Sequence, residues 1–128
     1  RTVSVGTLDM TFYRDDAASA LPDASVAPSR IEFTVEGADV VLVDDVLHTG
    51  RTVRAAISAL LDYGRPRRIW LAVLCDRGGR QVPIAADFVG RKIDVPEGYA
   101  LDVTADGGAG DRVLMRPWRP SEAPGGAA

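Results

Sequence analysis

Val40-Val41-Leu42-Val43-Asp44-Asp45-Val46-Leu47-His48-Thr49-Gly50-Arg51-Thr52 is the stretch on which the reading of this chain turns. A short apolar run of this kind is a buried parallel strand, and it delivers two adjacent carboxylates at its end. Thr49-Gly50-Arg51-Thr52 then turns the chain into a helix. Such a turn offers backbone N–H groups, two hydroxyls and a guanidinium at the positive end of the helix dipole, a combination that suits a phosphate. Asp44 and Asp45 cannot serve that phosphate. They suit sugar hydroxyls, or a magnesium ion oriented through its water shell. Taken singly, an apolar strand, a solvated Asp pair and a helix cap are all ordinary. In this order they point to a phosphorylated sugar, because carboxylates at a buried strand end are costly unless something neutralises them.

Working outward, the helical period predicts a helix over Gly50 to Tyr63 with Val53, Ala56, Ile57, Leu60 and Leu61 on one face; Gly64 stops it and Pro66 prevents its continuation. Arg68 to Leu74 reads as a second buried strand, so strand, helix and strand form a βαβ unit with a right-handed crossover. Upstream, Val3 to Tyr13 reads as a strand that buries Val3, Val5, Leu8, Met10 and Phe12, with a register change near Gly6. Ile31 to Val35 reads as a short strand, and Gly37-Ala38-Asp39 as the turn leading into Val40. Further short strands are expected at Phe88-Val89, Leu101 to Val103 and Val113 to Met115. Arg14 to Arg30 is polar, contains proline and reads as mobile. Residues 117–128 read as a disordered tail, leaving 1–116 as the folded domain.

With 128 residues, 46% hydrophobic and 26% charged, the chain can bury one core and has no room for two. No apolar stretch approaches the about 20 residues of a membrane span, and no signal peptide is visible, so the expected location is the cytoplasm. The single cysteine, Cys75, cannot form an internal disulfide and ends an apolar run, as a small buried hydrophobe would. His48 is the only histidine, which excludes a His-rich metal site. A net charge of -3 argues against wholesale nucleic-acid binding. It leaves room for a local basic face, since Arg77, Arg80, Arg91 and Lys92 follow the second strand. Arg65 and Arg67 read as solvated charges or partners of the helix C-terminus.

The central stretch resembles the 5-phosphoribosyl-1-diphosphate (PRPP) signature of type I phosphoribosyltransferases. Its flanks narrow the likeness: Val5-Gly6-Thr7-Leu8-Asp9-Met10-Thr11-Phe12-Tyr13-Arg14-Asp15-Asp16, Arg51-Thr52-Val53-Arg54-Ala55-Ala56, Gly64-Arg65-Pro66-Arg67-Arg68-Ile69, Leu71-Ala72-Val73-Leu74 and Asp76-Arg77-Gly78 are similar to the PyrR family. The likeness covers roughly Val3 to Gly90 and weakens toward Met115. It implies an α/β fold, Rossmann-like, with a largely parallel sheet flanked by helices. The implied activity is uracil phosphoribosyl transfer, uracil and PRPP giving UMP and diphosphate, combined with regulation of pyrimidine-biosynthesis transcripts. By the same resemblance Asp44 and Asp45 hold the ribose 2′ and 3′ hydroxyls and act in catalysis, while Thr49, Gly50, Arg51 and Thr52 hold the 5′-phosphate. Phe88 and Val89 line the base pocket, and Mg²⁺ arrives with PRPP rather than on protein ligands. Arg14 to Arg30 resembles the loop that closes over substrate. His48 stands where the family usually has an aromatic residue, and packing is as good a reading of it as acid–base work.

The competing reading is a regulator that binds the leader of a pyrimidine operon mRNA and catalyses little. The family's RNA contacts lie on a basic face built from two subunits, which implies a homodimer, and Arg80 and Arg91 are the candidate contacts. Against the family pattern, Gly79 replaces a histidine, Gln81 a glutamate and Ala85 an arginine, so positions able to neutralise phosphate are fewer. The resemblance also places Arg1 within the family's second core strand. It implies a chain without the N-terminal helix, the first core strand and the glycine-bearing turn for pyrophosphate, unless a partner supplies them. A chain so shortened would have little transferase activity alone, and a non-functional remnant is the third reading.

Overall fold

The computed structural model describes residues 2–10 and 29–119. The segments read as the closing loop and the disordered tail fall almost wholly on residues 11–28 and 120–128, outside the described residues. At the centre is the expected βαβ unit: β1 (Asp39–Leu47), α1 (Arg51–Leu61) and β2 (Arg68–Asp76). β1 and β2 pair in parallel, Val40 opposite Ile69 and Asp44 opposite Val73. β3 (Phe88–Lys92) adds to the other side of β2, also in parallel, with Val73 opposite Val89. Residues 77–87 connect β2 to β3 without a helix. β4 (Tyr99–Thr104) and β5 (Arg112–Pro117) form a separate antiparallel hairpin. Asp102 and Arg116 bridge that hairpin with a 2.6 Å ion pair. β5 includes Pro117, one residue beyond the expected end of the domain, and the Trp118 N–H donates to the Gly98 carbonyl.

The core lies where α1 meets the sheet. Leu47, Val53, Leu71 and Val73 form one cluster, and Val35, Val40 and Leu60 a second; Leu42 packs against both. Ile84 and Ala86 join the first cluster, so the β2–β3 connection crosses the α1 side of the sheet. The expected helix face holds for Val53 and Leu60. It fails for Leu61, half exposed, whereas Thr52 and Ala55 are buried. Position 61 is the last residue of α1.

Two expected strands are absent among the described residues. Residues 2–10 form no ladder; their one backbone pairing is an isolated antiparallel bridge, Thr7 to Arg30. Val3 and Val5 are 79% and 84% exposed rather than buried, although Leu8 does pack against the second cluster. Ile31 to Val35 likewise pairs with nothing as a strand, yet Ile31, Phe33 and Val35 all pack into that cluster. Alternation of apolar residues selects a buried face; a strand also needs a neighbour to satisfy its backbone, and alternation does not supply one. β1 in turn is an edge of its sheet among the described residues. A trough of about 1110 Å³ separates that edge from Val3 to Met10, floored by Val53, Ala56 and Leu60.

Parallel sheets are usually covered on both faces. Here α1 covers one. On the other, Val41, Val43, Leu74 and Phe88 are exposed, and Trp70 sits among them with its ring 6.0 Å from that of Phe88 and the Arg68 guanidinium 3.8 Å above it.

Candidate sugar-phosphate site

Asp44 and Asp45 stand at the carboxyl end of β1, half-buried, and open into the trough. Each has one oxygen occupied by the following backbone: the Asp45 N–H donates to Asp44 Oδ1 at 2.8 Å and the Val46 N–H to Asp45 Oδ1 at 2.7 Å. The carboxylates are thereby held in fixed directions. In parallel α/β sheets the crevice beyond the strand ends is where ligands bind, and the same end of β1 leads directly into the phosphate turn.

Thr49 and Thr52 are the buried polar residues among the described residues, at 4% and 7% exposure. Gly50 occupies the N-cap of α1 with φ 91° and makes no side-chain cap. Thr49 Oγ1 accepts from the Arg51 N–H at 3.2 Å, and the first helical bond runs from the Arg54 N–H to the Gly50 carbonyl. The first turn of α1 carries no acidic residue, so nothing in it offsets the positive end of the dipole. Glycine is required at position 50 twice over. Its φ is left-handed, and a Cβ there would stand 3.0 Å from Val82 Cγ2 and 3.1 Å from Ile84 Cβ.

The residues that press on Gly50 belong to the β2–β3 connection, whose role was not visible beforehand. The N–H groups of Gln81 and Val82 both donate to the Thr49 carbonyl, at 2.9 and 3.3 Å. The Gln81 side-chain oxygen accepts from Arg51 Nε at 2.9 Å, so the guanidinium expected on a phosphate is steered by a residue 30 positions away. Gly79, φ 78°, lies over His48: a Cβ would come within 2.9 Å of the imidazole Cδ2 and Nε2. Where the family pattern has a histidine at this place, the ring of His48 fills the space.

Arg80, a candidate RNA contact, is turned inward. Its side chain is 26% exposed and commits all three nitrogens inward: Nε to the Ile84 carbonyl, Nη1 to the His48 carbonyl and Nη2 to Asp76 Oδ2, at 2.8, 2.8 and 2.6 Å. That bond also holds the Asp76 carboxyl below the usual carboxylate range, with the Gly78 N–H assisting. Arg91, by contrast, is exposed on β3.

Phe88 and Val89 are not brought to the Asp pair. As neighbours on a strand they face opposite sides of the sheet: Phe88 meets Trp70, while Val89 packs into the first cluster. Both sit two strands from β1, about 10 Å across the sheet. Asp87 closes the ladder's end, its N–H donating to the Leu71 carbonyl and its Oδ2 accepting from the Leu71 N–H, both at 2.8 Å. Arg67 pairs with Asp39 through two bonds on the surface, at the foot of the sheet. Cys75 is 2% exposed, as expected of a small hydrophobe, and burial, seconded by the Asp45 carboxylate, raises its pKa. Its alkylation by a neutral maleimide at pH 7 should run at least tenfold slower in the native protein than in denaturant, followed by intact mass; equal rates would place the thiol at the surface.

The chain matches the phosphoribosyl transferase domain over residues 2–103. It is 51% identical over 106 residues to the bifunctional protein PyrR of Thermus aquaticus, covering 83% of this chain and 59% of that one. To the PyrR of Brevibacillus brevis it is 54% identical over 101 residues, covering 79% and 56% of the two chains. The chain thus spans little more than half the length of these relatives. Among solved structures, a hypoxanthine phosphoribosyltransferase variant of Trypanosoma cruzi in its ternary substrates complex superposes with a TM-score of 0.50 at 25% identity, over 73% of this chain and 50% of that one. The chain belongs to the phosphoribosyltransferase family, with its type I α/β fold, and within that family it is similar to the PyrR proteins. No helix among the described residues is long and apolar enough to cross a membrane.

Proposed function

We propose that this chain carries the ribose-5-phosphate half of a uracil phosphoribosyltransferase site. The observation that carries the reading is the continuity of two half-buried carboxylates at the end of β1 with a left-handed turn at the start of α1. In the whole protein uracil N1 attacks C1′ of PRPP, the bond from C1′ to the diphosphate oxygen breaks, and the N1 proton is lost to give UMP. The transition state has oxocarbenium character, so positioning and charge do most of the work. Asp44 and Asp45 accept hydrogen bonds from the ribose hydroxyls and balance the positive charge that grows on the sugar. Thr49, Gly50, Arg51 and Thr52 anchor the 5′-phosphate. Both carboxylates already hold a backbone N–H, which fits a magnesium ion met through water rather than through a cage of protein ligands. Magnesium, if it arrives with PRPP, would supply positive charge against the departing diphosphate. Regulation of pyrimidine transcripts is the accompanying reading; it rests on the PyrR resemblance, and Arg91 is the candidate RNA contact that stays exposed.

Titration with UMP, and separately with inorganic phosphate, tests the site. The amide signals of Thr49, Gly50, Arg51 and Thr52 are expected to move first, and further with UMP than with phosphate because the nucleotide also engages Asp44 and Asp45. Shifts confined to residues remote from that turn would remove the phosphate assignment.

A further inference from the structure

The geometry points to Arg80 as a positioning residue: by gripping the His48 carbonyl it aims the amides of the phosphate turn, with Asp76 holding the guanidinium in place. The inference deepens the reading of residues 49–52 as a phosphate cradle and rests on it. A peptide unit is planar and trans, so its C=O and N–H point in opposite directions. The His48 carbonyl shares its peptide unit with the Thr49 N–H. Arg80 Nη1 holds that carbonyl at 2.8 Å, which sets the direction of the Thr49 N–H as well. The next unit is held in the same way. Its Thr49 carbonyl accepts from the Gln81 and Val82 N–H groups, which fixes the Gly50 N–H. Two successive carbonyls are thus drawn toward the 77–84 connection, and their partner amides are turned away from it.

This matters electrostatically. An anion cradle works when donors are pre-aimed and no carbonyl oxygen faces the ligand. Nothing local to the turn does that at position 50, where no side chain caps the helix. Arg80 reaches it from outside, and its three bonds tie together the end of β2, the residue before the turn and the far limb of the connection. Its charge is largely matched by Asp76 at 2.6 Å, so the contribution to phosphate binding is orientation rather than attraction. A lysine would preserve the charge and lose the planar fork.

The experiment compares Arg80→Lys, Arg80→Gln and Asp76→Asn with the parent chain by UMP titration and by hydrogen exchange of the Gln81 and Val82 amides. Both Arg80 variants are expected to weaken UMP binding by roughly tenfold or more, the scale of one lost charge-assisted hydrogen bond. Exchange at Gln81 and Val82 should quicken while the β2 amides of Leu71 and Val73 stay protected. Asp76→Asn, which leaves the fork without its anchor, should show a smaller loss in the same direction, and it stands in if an Arg80 variant does not fold. UMP affinity retained within about twofold by Arg80→Lys, or unchanged exchange at Gln81 and Val82, would overturn the proposal. If the parent chain shows no UMP-dependent shift at residues 49–52, the sugar-phosphate reading falls instead, and the exchange data alone decide whether Arg80 orders the turn.

Discussion

Replacing Asp44 and Asp45 together by asparagine should weaken UMP binding by roughly 100-fold while leaving the fold intact. The asymmetry follows from what each oxygen does. One oxygen of each side chain accepts a backbone N–H, from Asp45 and from Val46, and an asparagine amide oxygen can keep that bond. What is lost is the charge. Hydrogen bonds from ribose hydroxyls to an ionised acceptor are worth about 1.5–3 kcal/mol each, so two of them weakened in part give the stated loss. Two adjacent carboxylates at a half-buried strand end also repel each other, and removing both should leave the melting temperature unchanged or raise it. A variant that is as stable as the parent and binds far less UMP, by calorimetry in magnesium buffer, is the expected result. Unchanged affinity would show that the pair does not meet the sugar. A large fall in melting temperature would show that the carboxylates serve the fold instead.

The βαβ unit was legible in the sequence because every signal in it is local. An apolar run, a glycine at a helix start, a 3.6-residue period and a Gly64 stop all act within a few residues, and β1, α1 and β2 appear where those signals place them. The upstream segment was not legible because its signal is incomplete. Val3 and Val5 alternate as a strand should, as do Leu8 and Met10 after a register change near Gly6, but the structure gives residues 2–10 only the Thr7–Arg30 bridge, so the pattern has no ladder to join. The candidate site divides in the same way. Thr49 to Thr52 and the Asp pair are contiguous and were found from their order alone. Gln81 and Arg80 act on that turn across 30 residues or more, through side-chain bonds that no spacing reveals. Arginine in a basic stretch reads as a surface contact by default, and only the positions of its acceptors show that Arg80 is turned inward.

The 77–84 connection and the phosphate turn meet closely at Gly50, and Gly50→Ala carries a large expected cost to stability. Two separate penalties apply. At φ 91° a Cβ meets its own carbonyl, which costs an L-residue roughly 1–2 kcal/mol. The same Cβ would lie 3.0 Å from Val82 Cγ2 and 3.1 Å from Ile84 Cβ, and overpacking of this kind typically adds about 1–3 kcal/mol. Their sum, about 2–5 kcal/mol, is a large part of the stability of an ordinary domain of this size. Relief can come only by swinging the turn or lifting the connection, and either one breaks the bonds from Gln81 and Val82 to the Thr49 carbonyl. UMP binding should therefore fall with stability, and the amide of Thr49 should shift even in protein that remains folded. Pairing the change with Val82→Ala separates the causes. The smaller side chain relieves part of the contact at Cγ2 and should recover a matching part of the stability, while the backbone strain at position 50 stays. A Gly50→Ala protein that melts with the parent and binds UMP equally would mean that the turn accommodates a side chain, and that the press of the connection against it is not what shapes the cradle.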